Sequence, residues 1–357
     1  MTKLKEKVDF TGRTIYLGLD AHLKTWQISI NFEKKFVKGF SQPPNVTSLH
    51  TYLTSNYPNA KYVCAYESGF CGYWIQRELT KKGIECIVVN PADVPQTDKG
   101  TKNKSDKFDA KRISSSLEAG MLQGIYIPSI SLESDRQLVR LNTRFTQDLT
   151  RAKNRIKGIL YLFGVKIPEQ FEHANWSNKF LVWLKELTFD HTSSRIVLNH
   201  QLSIVENIRK EKLSVLKEIR KLLLQERYQS VAKCLLSIPG VGPFTTAALL
   251  TEIGEMSRFK NFEQLNSFVG LCPTHHGSGE NEYDGKITSR QNRQLRYLLI
   301  EASWVAISND PALTKVYSEL KARIGGKRAI IKIARKLLSR IRYVWINKKE
   351  YEKGVIQ

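Results

Sequence analysis

Long apolar runs are missing from this chain of 357 residues. None approaches the roughly 18 or more consecutive apolar residues that a spanning helix needs, and the opening MTKLKEKVDF lacks the apolar core of a secretory signal. The expected location is the cytoplasm. Cysteine is scarce too, with five residues, an odd number, and no CxxC pair. Cys64, Cys71, Cys86, Cys234 and Cys272 sit mostly among apolar neighbours, which argues against a disulfide frame or a cysteine zinc site and leaves reduced packing residues. Acid is short relative to base: 34 Asp and Glu stand against 56 Lys and Arg, a formal net charge of +22. A surface so charged attracts polyanions, nucleic acid first and a membrane surface second. At 41% hydrophobic content the chain is too apolar for disorder. Its length exceeds one core, so two or three globular units are expected.

The first of these reads as a mixed α/β sheet. TIYLGLD (14–20) and WQISINF (26–32) form a strand pair, with a further strand near 35–39, a helix near 46–57 and a strand at KYVCAYE (61–67). YWIQRELTKKG carries Ile75 and Leu79 one helical turn apart, and IECIVVNP supplies another buried strand. From about residue 131 the character changes to long helices, and the expected boundaries are 1–128, 129–230 and 231–357. A helix over about 194–229 places Leu198, Leu202, Val205, Ile208, Leu216, Ile219 and Leu223 at three and four spacing. That is the pattern of a coiled-coil seam, and it serves equally a core stripe within one subunit or a contact between subunits.

Four carboxylates organise the chemistry. Asp20 and Glu67 end two apolar strands, and Asp106 and Asp109 stand three apart, on one face of a helix. Clustered carboxylates repel one another unless a cation compensates, and magnesium, with manganese as its substitute, takes hard oxygen ligands and bridges phosphate oxygens. Lys102, Lys104, Lys107, Lys111 and Arg112 surround the Asp pair as candidates to hold a phosphodiester backbone. A DxxD alone is commonly an ordinary solvated helix start. The strand-end carboxylates shift the reading toward a site.

Two further features point to nucleic acid. IPGVG (238–242) lies between apolar helical segments and is similar to a helix-hairpin-helix element, in which glycines such as Gly240 and Gly242 let backbone N–H groups approach a phosphate; a tight turn between packed helices is the plainer alternative. Residues 320–349 hold eleven Lys or Arg and no Asp or Glu. With Ile330, Ile333, Leu337 and Ile341 interleaved they form a basic amphipathic helix, whose Lys327, Arg328, Lys332, Arg335 and Lys336 are candidate phosphate contacts.

Asp20 in YLGLD, Glu67 in AYESGFCGYW and Asp106 with Asp109 in KNKSDKFDAKRIS resemble the catalytic set of the DEDD insertion-sequence transposases, and the stretch from IPGVG through HHGSGENEYDGKITSRQNRQLRYLLIEASW resembles their C-terminal transposase domain. The resemblance implies a RuvC-like, RNase H-type N-terminal domain, a long-helix coiled-coil middle and a mainly helical C-terminal domain. It implies a recombinase that cuts and rejoins DNA through a covalent phosphoserine intermediate, with Ser278 as nucleophile and the four carboxylates holding magnesium. Lys286, Arg290, Asn292, Arg293 and Arg296 follow as phosphate-binding or strand-orienting residues, although Gln291 stands where the family's glycine usually does. Partners implied by the family are element-end and target DNA, a bridge RNA that selects them by base pairing, and further copies of the chain in a dimer or tetramer, with no membrane. The implied setting is a bacterial or archaeal cytoplasm, at the nucleoid. The rival readings are a junction resolvase or structure-specific nuclease that uses water as nucleophile, and a silent nucleic-acid-binding protein.

Overall fold

The computed structural model describes residues 9–95, 105–172, 176–278 and 281–354, with backbone alone for 172, 274–278 and 281–286. The chain divides into two compact units, residues 1–127 and 128–357.

In the first unit, β1 (Thr14–Ala21), β2 (Trp26–Phe32), β3 (Lys35–Gln42), β4 (Lys61–Glu67) and β5 (Glu85–Val89) form one sheet in the order β3-β2-β1-β4-β5. The first three strands make an antiparallel meander, whereas β4 and β5 run parallel to β1. Parallel joins need crossovers, which α1 (Val46–Asn56) and α2 (Trp74–Lys81) supply. Side chains alternate across a strand. Ile15, Leu17 and Leu19 of β1 and Tyr62, Cys64 and Tyr66 of β4 therefore enter one core with Leu49, Leu53, Ile75 and Leu79. The alternate row, Tyr16, Gly18 and Asp20 on β1 with Val63, Ala65 and Glu67 on β4, faces the other way. There α3 (Asp106–Glu118) packs Ile113 and Leu117 against Ala65 and Val89.

Helix α3 comes closer to β1 than any side chain would allow. A Cβ placed on Gly18 would lie 2.0 Å from the carbonyl oxygen of Ala110 and 2.4 Å from the amide nitrogen of Ser114. Polar groups trapped by this contact are satisfied within it: Ser114 Oγ lies 2.9 Å from both Asn31 Oδ1 and Ser29 Oγ, and Asn31 Nδ2 donates to Glu118 Oε2 at 3.1 Å. Ser29, Asn31 and Ser114 are all buried, so each needs these partners.

In the second unit α4 (Ile130–Leu162) packs along α6 (Thr192–Leu223). Leu198, Leu202 and Val205 of the predicted seam are buried with Ala152, Ile156 and Leu160 of α4 and with Trp176, Phe180 and Leu184 in and beside α5 (Asn178–Glu186). Over that length the seam is covered within the chain. Val215, Ile219 and Leu222 then enter a larger core formed with α7 (Glu226–Leu236), α8 (Pro243–Ile253), α9 (Phe262–Val269), α10 (Arg293–Asn309), α11 (Pro311–Ile324) and α12 (Gly326–Asn347).

Three segments depart from the sequence reading. The helix expected to continue to 229 ends at Leu223 and restarts at Glu226, where Tyr228 donates its hydroxyl to Asp135 Oδ2 at 2.6 Å and Arg227 Nη2 lies 2.8 Å from the same oxygen. The basic helix begins at Gly326, because Gly325 takes φ 81° and breaks it from α11. The segment that carries Ser278, placed by the sequence reading in a mainly helical domain, is an antiparallel hairpin of β6 (Pro273–Ser278) and β7 (Asn281–Ile287), with Ser278 opposite Asn281.

Replacing Gly18 by alanine should lift α3 from the sheet, at a cost of about 1–3 kcal/mol, as overpacking a close contact typically does. Hydrogen exchange across residues 106–118 should accelerate and the unfolding midpoint in urea should fall. Gly69→Ala, at a position with nothing within 4 Å, should leave both unchanged.

Candidate functional site

Asp20 and Glu67 leave adjacent parallel strands one step beyond the Leu19–Tyr66 pair, on the face that α3 covers. Ser105 caps α3 by accepting from the Phe108 amide, and Asp106 and Asp109 occupy its first turn, where the helix dipole favours acids. The close seating of α3 at Gly18 thus brings the predicted carboxylates together within one unit. Two basic side chains divide them into pairs. His22 Nε2 lies 3.2 Å from Asp20 Oδ2 and 3.5 Å from Asp106 Oδ1. Arg112 Nη2 lies 3.0 Å from Glu67 Oε1 and 3.1 Å from Asp109 Oδ1. Burial pushes the Asp20 carboxyl above its ordinary range, His22 opposes this by charge and hydrogen bond, and Asp106 and Asp109 add repulsion.

Ligand atoms of Asp20, His22 and Asp106 all lie within 4.8 Å of one another. Carboxylate oxygens with one imidazole nitrogen form a donor set that a hard or borderline divalent cation accepts, and such a cation would relieve the repulsion at Asp20. His22 escaped the sequence reading. Its signal was the two-residue spacing from Asp20 at a strand end, which puts both side chains on one side of the chain.

The expected phosphate contacts differ in how far they are exposed and in what already holds them. Lys107 and Lys111 are exposed, whereas Arg112 is only 15% exposed and held by Glu67 and Asp109. Lys102 and Lys104 lie outside the described residues, as do the side chains of Ser278 and Lys286. Lys327, Arg328, Lys332 and Lys336 are exposed on α12, but Arg335 pairs with Glu263 at 2.5 Å. Asn292 caps α10 through the Leu295 amide and donates to Glu252 Oε2 at 2.9 Å. Glu252 is buried and also receives Arg140 through Nε at 2.6 Å and Nη2 at 2.9 Å. Arg296 donates through Nη1 to the carbonyls of Gly270 and Thr288, at 2.9 and 2.7 Å, and so clasps the two chain segments that flank the hairpin. Asn292 and Arg296 therefore act as internal braces in this structure; Arg290 and Arg293 are exposed.

The two glycines of IPGVG also differ in role. Gly240, at φ 84°, packs against α10 so closely that a Cβ would lie 2.2 Å from the Ala302 carbonyl oxygen. Gly242 has open space around it at the N-terminus of α8, so approach to a phosphate there rests on Gly242 alone. Among the described residues, no helix is long and apolar enough to cross a membrane.

Comparison with known proteins finds two family models in chain order. A DEDD-type transposase model of the IS110 group matches residues 17–164, and the model of the transposase IS116/IS110/IS902 family matches residues 232–318. The first region contains the four carboxylates, and its five-stranded mixed sheet fits an RNase H-like DEDD domain. The second contains IPGVG, the hairpin and α10. Among curated relatives, the Sinorhizobium fredii protein y4qE, provisionally named a transposase, is 29% identical over 243 residues, which are 68% of this chain and 58% of that one. The transposase for insertion sequence element IS1533 of Leptospira borgpetersenii is 24% identical over 82% of this chain and 85% of its own. The transposase for insertion sequence element IS1111A of Coxiella burnetii is 27% identical over 75% of this chain and 73% of its own. With both models matched in order, and with the acids of the first gathered on one face of one sheet, the chain belongs to the DEDD-type insertion-sequence transposases.

Proposed function

We propose that this protein transposes its element by cutting and rejoining DNA, with Ser278 as nucleophile and Asp20, Glu67, Asp106 and Asp109 as the acidic centre for a magnesium ion. The observation that carries the reading is the convergence of those carboxylates beside α3, with Asp20 raised by burial and by its acidic neighbours. In the proposed reaction the Ser278 hydroxyl loses its proton as its oxygen attacks phosphorus, a phosphoserine ester forms, and the displaced sugar oxygen takes up a proton. A strand hydroxyl later attacks that ester, joins the new strand and restores the serine.

Asp20 and Asp106, with His22 as a nitrogen donor, would hold the ion on one side, and Glu67 and Asp109 on the other once Arg112 yields them. When bound, the metal supplies Lewis-acid stabilisation of the charge that develops at phosphorus. The chain's own residues set the frame: α3 positions two acids, the strand ends position two, and Arg296 with Asn292 brace the segment that carries Ser278. The exposed cations of α12 would hold backbone phosphates. Guidance by a bridge RNA, assembly of several copies with a serine from one meeting the acids of another, and residence at the cytoplasmic nucleoid rest on the family resemblance. A net charge of +22 is consistent with a double polyanion load.

Because the folded state holds the Asp20 proton more tightly than the unfolded chain does, this group's contribution to stability is full below its ordinary pKa of 3.8 and is lost as pH rises through the raised value. Near neutrality, Asp20→Asn should therefore stabilise the metal-free protein, read as slower hydrogen exchange over residues 14–21 and 106–118. Magnesium should slow exchange there in the wild type and not in the variant. A wild-type protein indifferent to magnesium in this assay would show that the acids do not form an ion site.

The chemistry is tested by incubating the protein with element-end DNA, the flanking transcript and magnesium, then running a denaturing gel. A protein–DNA adduct is expected, lost in Ser278→Ala and on chelation. Free cleaved ends with a tolerant Ser278→Ala would assign the attack to water instead.

A further inference from the structure

Helix α3 presents different chemistry on its two flanks. Arg112 turns toward Glu67 on β4, while Lys111, one position earlier, reaches β3 and places its ammonium 4.6 Å above the centre of the Phe36 ring. Between that flank and the β2–β3 edge lies an open groove of about 370 Å³, lined by Phe36, Phe108, Lys107, Lys111, Ser105 and the backbone-bare Gly39 together with residues 27–29 of β2. Two features set it apart from an ordinary solvated face. Phe36 is 47% exposed and Phe108 39% exposed, so two aromatic side chains of the lining remain partly open to water. Among the described residues, no Asp or Glu lines the groove, although Asp106 and Asp109 stand on the same helical turn.

Exposed rings next to ammonium groups, with no carboxylate among them, complement a ligand that is planar and apolar on its face and negatively charged at its edge. An unpaired nucleotide has that character: its base offers a π-face to a phenyl ring and its phosphate pairs with lysine. A duplex does not, since its bases are already stacked and only its phosphates remain to be bound. We propose that this groove is a stacking site for an unpaired base of the DNA strand being transferred, with Phe36 and Phe108 as the platforms and Lys107 and Lys111 as the phosphate contacts. Choice of DNA as occupant follows from position, because Ser105 and Lys107 flank Asp106 in the chain. A strand whose phosphate sits at the acids passes within one helical turn of the groove, and strand exchange requires that strand to be open. This inference rests on the proposed reaction for the identity of the strand.

Binding is measured on the full-length protein in a chelating buffer, so that no cleavage is needed, by fluorescence anisotropy with an oligothymidine, the matching duplex and an oligouridine. Stacking contacts of this kind are worth about 1–3 kcal/mol per base, which converts to an affinity change of about 5- to 150-fold. Phe36→Ala with Phe108→Ala should weaken single-stranded DNA by at least about fivefold and leave the duplex unchanged. Lys107→Gln with Lys111→Gln should weaken both and flatten the salt dependence. Irradiation of a 5-iododeoxyuridine oligonucleotide should crosslink to Phe36 or Phe108, located by mass spectrometry. Equal effects of the phenylalanine changes on single strand and duplex, no effect of them, crosslinks confined to other residues, or tighter binding of the oligouridine would each overturn the proposal. Both phenylalanines are exposed, so the variants should fold, and unchanged duplex binding verifies it. The binding readout in chelating buffer requires no attack by Ser278. Failure of the serine chemistry thus leaves this result standing, and failure of the stacking site leaves adduct formation untouched.

Discussion

The near-contact of one helix backbone with one strand backbone sets the geometry of the acidic centre. At Gly18 the main chain of α3 rests directly on β1, and Ala65 on the neighbouring strand keeps the same face low. A larger residue in either place would push the helix outward, and with it the turn that carries Asp106 and Asp109. The polar bonds of Ser29, Asn31 and Ser114 make the close seating tolerable, since amides and hydroxyls buried there without partners would oppose it. Packing, side-chain parity and the gathering of the acids are one constraint in this unit. The strand alternation that sends Leu17 and Leu19 into the core also sends Asp20 and Glu67 beneath α3.

Acid is managed in a similar way in both units. In a chain with so large an excess of base, the carboxylates of the site and of the helical core alike have basic or donor partners: His22 for Asp20 and Asp106, Arg112 for Glu67 and Asp109, Arg140 and Asn292 for Glu252, and Arg340 for the buried Asp310. The purposes differ. Glu252 is fully enclosed and its bonds brace α4, α8 and the start of α10, a role suited to holding structure. The acids beside α3 are partly open, and burial together with mutual repulsion leaves Asp20 poorly compensated. Poor compensation in the ground state is what makes a place receptive to an added cation.

Much of this was legible from residue order. Apolar runs ending in carboxylates located the strands and their acids, because a period of two is a strong local signal and strand ends mark where side chains reach solvent. The three-residue spacing of Asp106 and Asp109 was equally plain. What residue order concealed were relations between distant segments. The three-residue spacing of Asp109 and Arg112 is local, but nothing in residue order shows that Arg112 also reaches Glu67, forty-five residues upstream. Asn292 and Arg296 were expected to meet phosphate because the family resemblance places such residues there, yet their partners lie at 252, 270 and 288. The β6–β7 hairpin was hidden by Gly277, Gly285 and adjoining charges, which lower strand propensity in a ladder held by pairing. The break after Leu223 is accompanied by a bond from Tyr228 to Asp135, ninety or so residues upstream.

The glycine at position 18 also bears on how genomic copies of such a gene should be judged. Here a single changed codon, two places before Asp20, would leave all four acids and the serine in the reading frame while unseating the helix that brings two of those acids to the others. An intact set of acids in the sequence is therefore not by itself an intact arrangement of them, because Gly18 decides how closely their helix can seat.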